Sequence, residues 1–96
     1  GMSGREADAI ARDCLAKYGL DKYFTHSLGH GIGINVHEYP NLSPKSLHTL
    51  TDGMVFSDEP GVYFEGDFGI RIEDTVTLAG GKVISLTNSD KKLTII

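Results

Sequence analysis

The sequence predicts an α+β fold, with one N-terminal helix followed by a mainly antiparallel sheet. Three observations carry that prediction. Residues 4–18 repeat apolar side chains at helical spacing behind a Ser3-x-x-Glu6 cap signal. Glycines at alternate positions, Gly29, Gly31 and Gly33, argue against a second helix. The stretch Gly69 to Leu78 alternates strictly and is followed by Gly80-Gly81 and a second apolar stretch, which is the pattern of a hairpin.

In chain order, Ala7, Ile10, Ala11, Cys14, Leu15 and Tyr18 make one apolar helix face, and Gly19 ends the helix. Leu20 to Ser27 is a connection anchored by Tyr23 and Phe24. If the glycine stretch is extended, His30, Ile32, Ile34 and Val36 share one face. Gly31, Gly33, Asn35 and His37 then share the other, where glycines allow close approach of a ligand or a backbone. The competing reading is a tight irregular loop that needs glycine dihedrals. Tyr39 to Asp52 reads as loop, pinned by Leu42, Leu47 and Leu50. Met54-Val55-Phe56 is a short strand broken at Asp58-Glu59-Pro60-Gly61, because Pro60 has no N–H for a ladder. Val62-Tyr63-Phe64 resumes extended structure, and Gly69 to Leu78 is the longest strand. Lys82 to Leu86 returns beside it, and Leu93 to Ile96 is expected to add an edge strand.

The 96 residues allow one small domain, and the net charge of −4 argues against a nucleic-acid binder. No apolar run approaches a membrane span, and the start carries no signal-peptide pattern. A single cysteine, Cys14, excludes an internal disulfide, fits a reducing, cytoplasmic setting, and is expected as a buried helix residue.

The residues that carry chemistry lie in three stretches. Leu28 to Pro40, counted with His26 just before it, holds three of the four histidines; Asp58-Glu59-Pro60-Gly61 and Arg71-Ile72-Glu73-Asp74 follow. Imidazole and carboxylate together suit zinc, manganese, cobalt or iron. His26 and His30 are four apart like a zincin pair, but without a helix that mechanism does not apply. Glu59 is held at a Pro-Gly corner and Glu73 in a strand, with Arg71 on the same face to keep a carboxylate ionised. The bland alternative is a solvated face. His37 is placed to orient a substrate or move a proton, or else is a surface histidine. His48 reads as surface, and Tyr63 as core packing ahead of pocket lining.

Gly29-His30-Gly31-Ile32-Gly33 with His37-Glu38-Tyr39-Pro40, Glu59-Pro60-Gly61-Val62-Tyr63, and Gly69-Ile70-Arg71-Ile72-Glu73-Asp74-Thr75 resemble the C-terminal part of the pita-bread metallopeptidases. That family includes Xaa-Pro aminopeptidase, Xaa-Pro dipeptidase (prolidase), creatinase and methionine aminopeptidase, and Gly33 to Glu38 resembles the proline-directed branch. The resemblance covers nearly the whole chain. It implies a partial pita-bread fold for residues 1–96, as a C-terminal fragment of a catalytic domain. It implies His30, Glu59 and Glu73 as metal ligands, with Glu73 bridging two metals. It implies His37, His26 and Arg71 as catalytic-site residues, a proline-containing peptide as substrate, and a pair of divalent metals (Mn, Co or Zn) that generate hydroxide and polarise the scissile carbonyl.

The family site also uses two aspartates from upstream motifs, and Asp8, Asp13 and Asp21 do not lie in such a motif. The chain alone is therefore expected to hold at most one weak metal site and to be inactive as a two-metal peptidase. Lacking the partner half of the fold, it is expected to expose apolar surface and form a homo-oligomer. Two other readings stand beside this one: a non-catalytic peptide- or protein-binding module of the same fold, and a small mononuclear metal-binding domain.

Overall fold

A computed structural model describes residues 1–96. Helix α1 spans Gly4–Ala16. Ser3 caps it: its hydroxyl accepts from the Glu6 amide, and the Glu6 carboxylate accepts from the Ser3 amide at 2.7 Å. That reciprocal pair satisfies amide donors that the first turn otherwise leaves unpaired. A 3-10 turn at Asp21–Tyr23 leads to seven strands: β1 Gly29–Gly31, β2 Glu38–Leu42, β3 Val55–Asp58, β4 Gly61–Tyr63, β5 Gly69–Arg71, β6 Asp74–Ala79 and β7 Lys82–Ser85. Five make an antiparallel sheet in the order β2-β1-β3-β6-β7, and β4-β5 make a two-stranded sheet. The predicted fold, one helix and a mainly antiparallel sheet, is the observed one.

The core lies where α1 meets the larger sheet. Phe24, Leu28, Leu42, Leu50, Phe56 and Val76 form it, with Ala7, Ala11 and Leu15 of the helix packed against them. Burying each large apolar side chain contributes about 1.5–3 kcal/mol, and so few of them make a thin core.

Several expectations are corrected. Cys14 is exposed, as are Ile10 and Tyr18. The inward face is Gly4, Ala7, Asp8, Ala11 and Leu15, rotated from the predicted stripe because Asp8 is buried through polar partners. Only Gly29–Gly31 of the glycine stretch is a strand; residues 33–37 form a bend that leaves Ile34 and Val36 exposed. Tyr39 to Leu42, expected as the start of a loop, belongs to the edge strand β2, Glu38–Leu42. An edge position tolerates Pro40, which cannot donate to a ladder. Leu42 and Leu50 pin the following loop, whereas Leu47 is exposed. Leu93 to Ile96 forms no strand.

The predicted long strand Gly69 to Leu78 is two strands in two sheets, and register explains why. Asp58 pairs with Asp74 at the end of one ladder, and Gly61 with Arg71 at the start of the other. The Glu59-Pro60 corner therefore lies opposite Ile72-Glu73, held by a bond from the Ile72 amide to the Pro60 carbonyl at 3.2 Å. Both limbs of one hairpin turn at the same level. The Gly80-Gly81 turn is as predicted, with φ of 58° and 72°, the left-handed values that a two-residue type I′ hairpin loop requires.

Candidate active site

The double corner sets Glu59 and Glu73 face to face, and β1 brings His30 to them. A Cβ at Gly31 would overlap the Tyr39 carbonyl oxygen, so glycine is what lets β2 close on β1 beside His30. A bulge lies between His30 and Gly31. The His30 amide donates to Oγ of the fully buried Ser57 at 3.0 Å, which fixes the backbone at the bulge.

His30 Nδ1 lies 2.9 Å from the Gly31 carbonyl oxygen. A carbonyl only accepts, so Nδ1 is the donor there, and Nε2 is the ring nitrogen turned toward the carboxylates. Nε2 faces Glu59 Oε2 at 3.6 Å. Glu59 Oε1 lies 3.7 Å from Arg71 Nη1. Thus Arg71 pairs with Glu59, the neighbouring carboxylate, rather than standing beside Glu73 along one strand. Partial burial, then the hydrogen bond and the negative charge of Glu59, hold the Glu73 carboxyl above its ordinary range; Arg71 and His30 pull the other way.

His26 and Arg71 meet through a residue that sequence reasoning assigned to the core. The Tyr63 hydroxyl accepts from Arg71 Nε at 2.8 Å and lies 2.7 Å from His26 Nε2. His26 Nδ1 is 2.8 Å from the Ser27 carbonyl oxygen, so Nδ1 is the donor and Nε2 receives the tyrosine proton. The signal available in the sequence was Tyr63's place four residues after Glu59, next to the corner. His37 is exposed, and its ring packs edge-on against His30 with centroids 4.6 Å apart. His48 stands apart, against Tyr39. All six nominated side chains, His26, His30, His37, Glu59, Arg71 and Glu73, therefore belong to one contiguous cluster.

The donors fit a divalent cation in kind: the Nε2 nitrogen of an imidazole and two carboxylates, one of them, Glu73, raised by partial burial and by its neighbour Glu59. They fall short in number, for no three His, Cys, Asp or Glu side chains are grouped so as to hold a metal ion by themselves.

Residues 1–79 match the model of Metallopeptidase family M24, and the chain belongs to that family. It is 46% identical over 96 residues to an Xaa-Pro dipeptidase of Lactobacillus helveticus, covering all of this chain and 26% of that protein. The structure superposes on the Xaa-Pro dipeptidase from Bacillus anthracis with a TM-score of 0.96 and 44% identity, over 100% of this chain and 27% of that one. It superposes on the X-Pro aminopeptidase from Thermotoga maritima with a TM-score of 0.94 and 41% identity, over 100% and 27%. The chain spans about a quarter of the length of the relatives it matches, and the fold is a partial pita-bread fold.

Proposed function

We propose that this chain supplies part of the active site of an Xaa-Pro peptidase, which hydrolyses the peptide bond before proline. The observation that carries this reading is the meeting of His30, Glu59 and Glu73 at the double corner, in a chain of the M24 family. In this reading those three residues are metal ligands, and carboxylates from the rest of a longer polypeptide complete a two-metal centre. Bound divalent metal, manganese, cobalt or zinc, supplies Lewis-acid polarisation of the scissile carbonyl and an activated water.

The chain's own residues do the rest. Arg71 faces Glu59 Oε1 while His30 faces Oε2, so the guanidinium brings positive charge to the pair of glutamates from the side away from His30. Tyr63 links the Arg71 guanidinium to the His26 ring: its hydroxyl accepts from Arg71 and donates to His26 Nε2, which holds both side chains in place beside the site. His37, exposed and backed by His30, is free to hydrogen-bond the substrate. Proline in the substrate offers no amide N–H, so recognition rests on its carbonyl and ring.

The cytoplasm is the proposed setting, supported by the single unpaired cysteine; no helix is long and apolar enough to cross a membrane. The isolated chain is proposed to form a homo-oligomer through its exposed apolar residues, and to be inactive as a peptidase.

Calorimetric titration of the chain with Mn²⁺, Co²⁺ and Zn²⁺ tests the metal assignment. Weak one-site binding that His30→Ala abolishes is the expected result. Binding that survives both His30→Ala and Glu73→Gln would remove the assignment. Hydrolysis of Xaa-Pro dipeptides by the longer polypeptide, and not by this chain, tests the division of the site.

A further inference from the structure

We propose that Asp8 and Arg12 of the opening helix are positioning residues for the His26 and Glu59 side of the site, a role that rests on the reading of that site given above. Asp8 is 1% exposed. Arg12 Nε donates to its Oδ2 at 2.6 Å and Arg12 Nη2 reaches its Oδ1 at 3.3 Å, a two-point pair one helical turn apart.

The pair then grips the segment leading into β1 at every second residue. Arg12 Nη1 donates to the Phe24 carbonyl at 2.9 Å, and Nη2 donates to the His26 carbonyl at 2.7 Å. Asp8 Oδ1 accepts the Leu28 amide at 2.9 Å. Arg12 also lies 4.3 Å over the Phe24 ring. Through contacts at 24, 26 and 28, backbone polar groups of this non-strand segment are satisfied by two helix side chains.

What is held there bears directly on the site. The His26 carbonyl is fixed by Arg12 while its ring, edge-on to Phe24, reaches Tyr63. The Leu28 peptide is fixed by Asp8 at its amide, and its carbonyl accepts the Glu59 amide at 2.8 Å. One residue thus connects a helix carboxylate to the corner that presents Glu59. Helix packing alone does not call for this arrangement: a buried ion pair gives little net stability over an apolar pair of the same volume. The geometry is that of a guanidinium fork, which lysine does not reproduce.

The test is NMR on the 96-residue chain and on Arg12→Lys, which keeps the charge beside Asp8 but not the fork. The expected result is an unchanged circular dichroism spectrum and unchanged Leu42 and Val76 methyl shifts. Against that background, Leu28 amide exchange accelerates about tenfold or more, and the His26 ring nitrogens shift toward tautomer averaging while those of His48 stay fixed. A folded Arg12→Lys chain with unaltered Leu28 exchange and His26 ring shifts overturns the proposal. If Arg12→Lys does not fold, the unmutated chain decides. Slow exchange of both the Arg12 Nε–H and the Leu28 amide is the expected result, and exchange of either at the rate of free solvent contact overturns the proposal. None of these readouts involves metal, so metal binding that survives His30→Ala and Glu73→Gln removes the metal-ligand reading and leaves this result legible on its own.

Discussion

The Tyr63 hydroxyl lies 2.7 Å from Nε2 of His26, a residue 37 positions earlier. The same hydroxyl accepts from Arg71, so a single phenol oxygen joins the segment before β1 to the two-stranded sheet. Tyr63→Phe removes that oxygen and keeps the ring. We expect the chain to remain folded and to lose about 0.5–1.5 kcal/mol, the net worth of a hydrogen bond. Urea denaturation measures the loss, and ¹⁵N shifts of the His26 ring report the freed Nε2. An unperturbed His26 ring would contradict the assigned link.

Gly31→Ala places a Cβ against the Tyr39 carbonyl, a backbone atom that cannot swing aside. The expected cost is about 1–3 kcal/mol, as for overpacking elsewhere. A thermal melt within error of the parent would show that β1 and β2 separate easily.

The helix cap predicts a pH effect. Hydrogen bonds from the Ser3 amide and then the Ser3 hydroxyl hold the Glu6 carboxyl below its ordinary value of 4.5. A group with a lowered folded pKa binds its proton more weakly in the native chain. Its stabilisation is therefore present above about pH 4.5 and is lost as pH falls through the lowered value. Glu6→Gln should flatten the acid side of the stability profile over that interval and leave the neutral side parallel to the parent. Ser3→Ala should cost about 1 kcal/mol at neutral pH, the usual worth of an N-cap. Denaturant midpoints measured from pH 3 to 7 check both.

Exposed apolar side chains set an association prediction. Ile70, Val83, Ile84 and Leu86 are 53%, 64%, 46% and 53% exposed, and strands β5 and β7 are exposed along their length. Sedimentation velocity of the isolated chain should show a weight-average mass that rises with concentration, and Ile84→Glu should shift it toward monomer. A strictly monomeric profile at high concentration would remove the self-association proposal.

Much of this arrangement was legible in the residues. The Ser3–Glu6 capping box and the Gly80-Gly81 turn were readable because each is a local signal with its own geometry. The three stretches around His30, Glu59 and Glu73 could be nominated from residue type alone. The rest depends on pairing register, which is a property of two segments at once. Pro60 announces a corner in its own strand, but nothing within Gly69 to Leu78 announces that it must turn opposite Pro60. Asp8 reads as a solvated helix acid because its partners, Arg12 and the Leu28 amide, are recognisable only once the segment after the helix is in place. Tyr63 reads as core because a strand tyrosine has an apolar ring; its hydroxyl partners arrive from residues 26 and 71. Pro40 hides β2 because a proline within a strand is acceptable only at an edge, and which strand is the edge is settled by the whole sheet.

The shared corner of the hairpin has a geometric consequence. Glu59 and Glu73 sit on the crease, Arg71 lies in the first pair of the ladder beyond it, and Tyr63 lies two pairs further on, opposite Gly69. Distance from the crease therefore orders the cluster: the carboxylates lie on the line itself, and the guanidinium and then the hydroxyl follow outward along the hairpin. Tyr23 packs at a tilt against Phe64, with ring centroids 4.6 Å apart, and ties the tip to the body of the molecule.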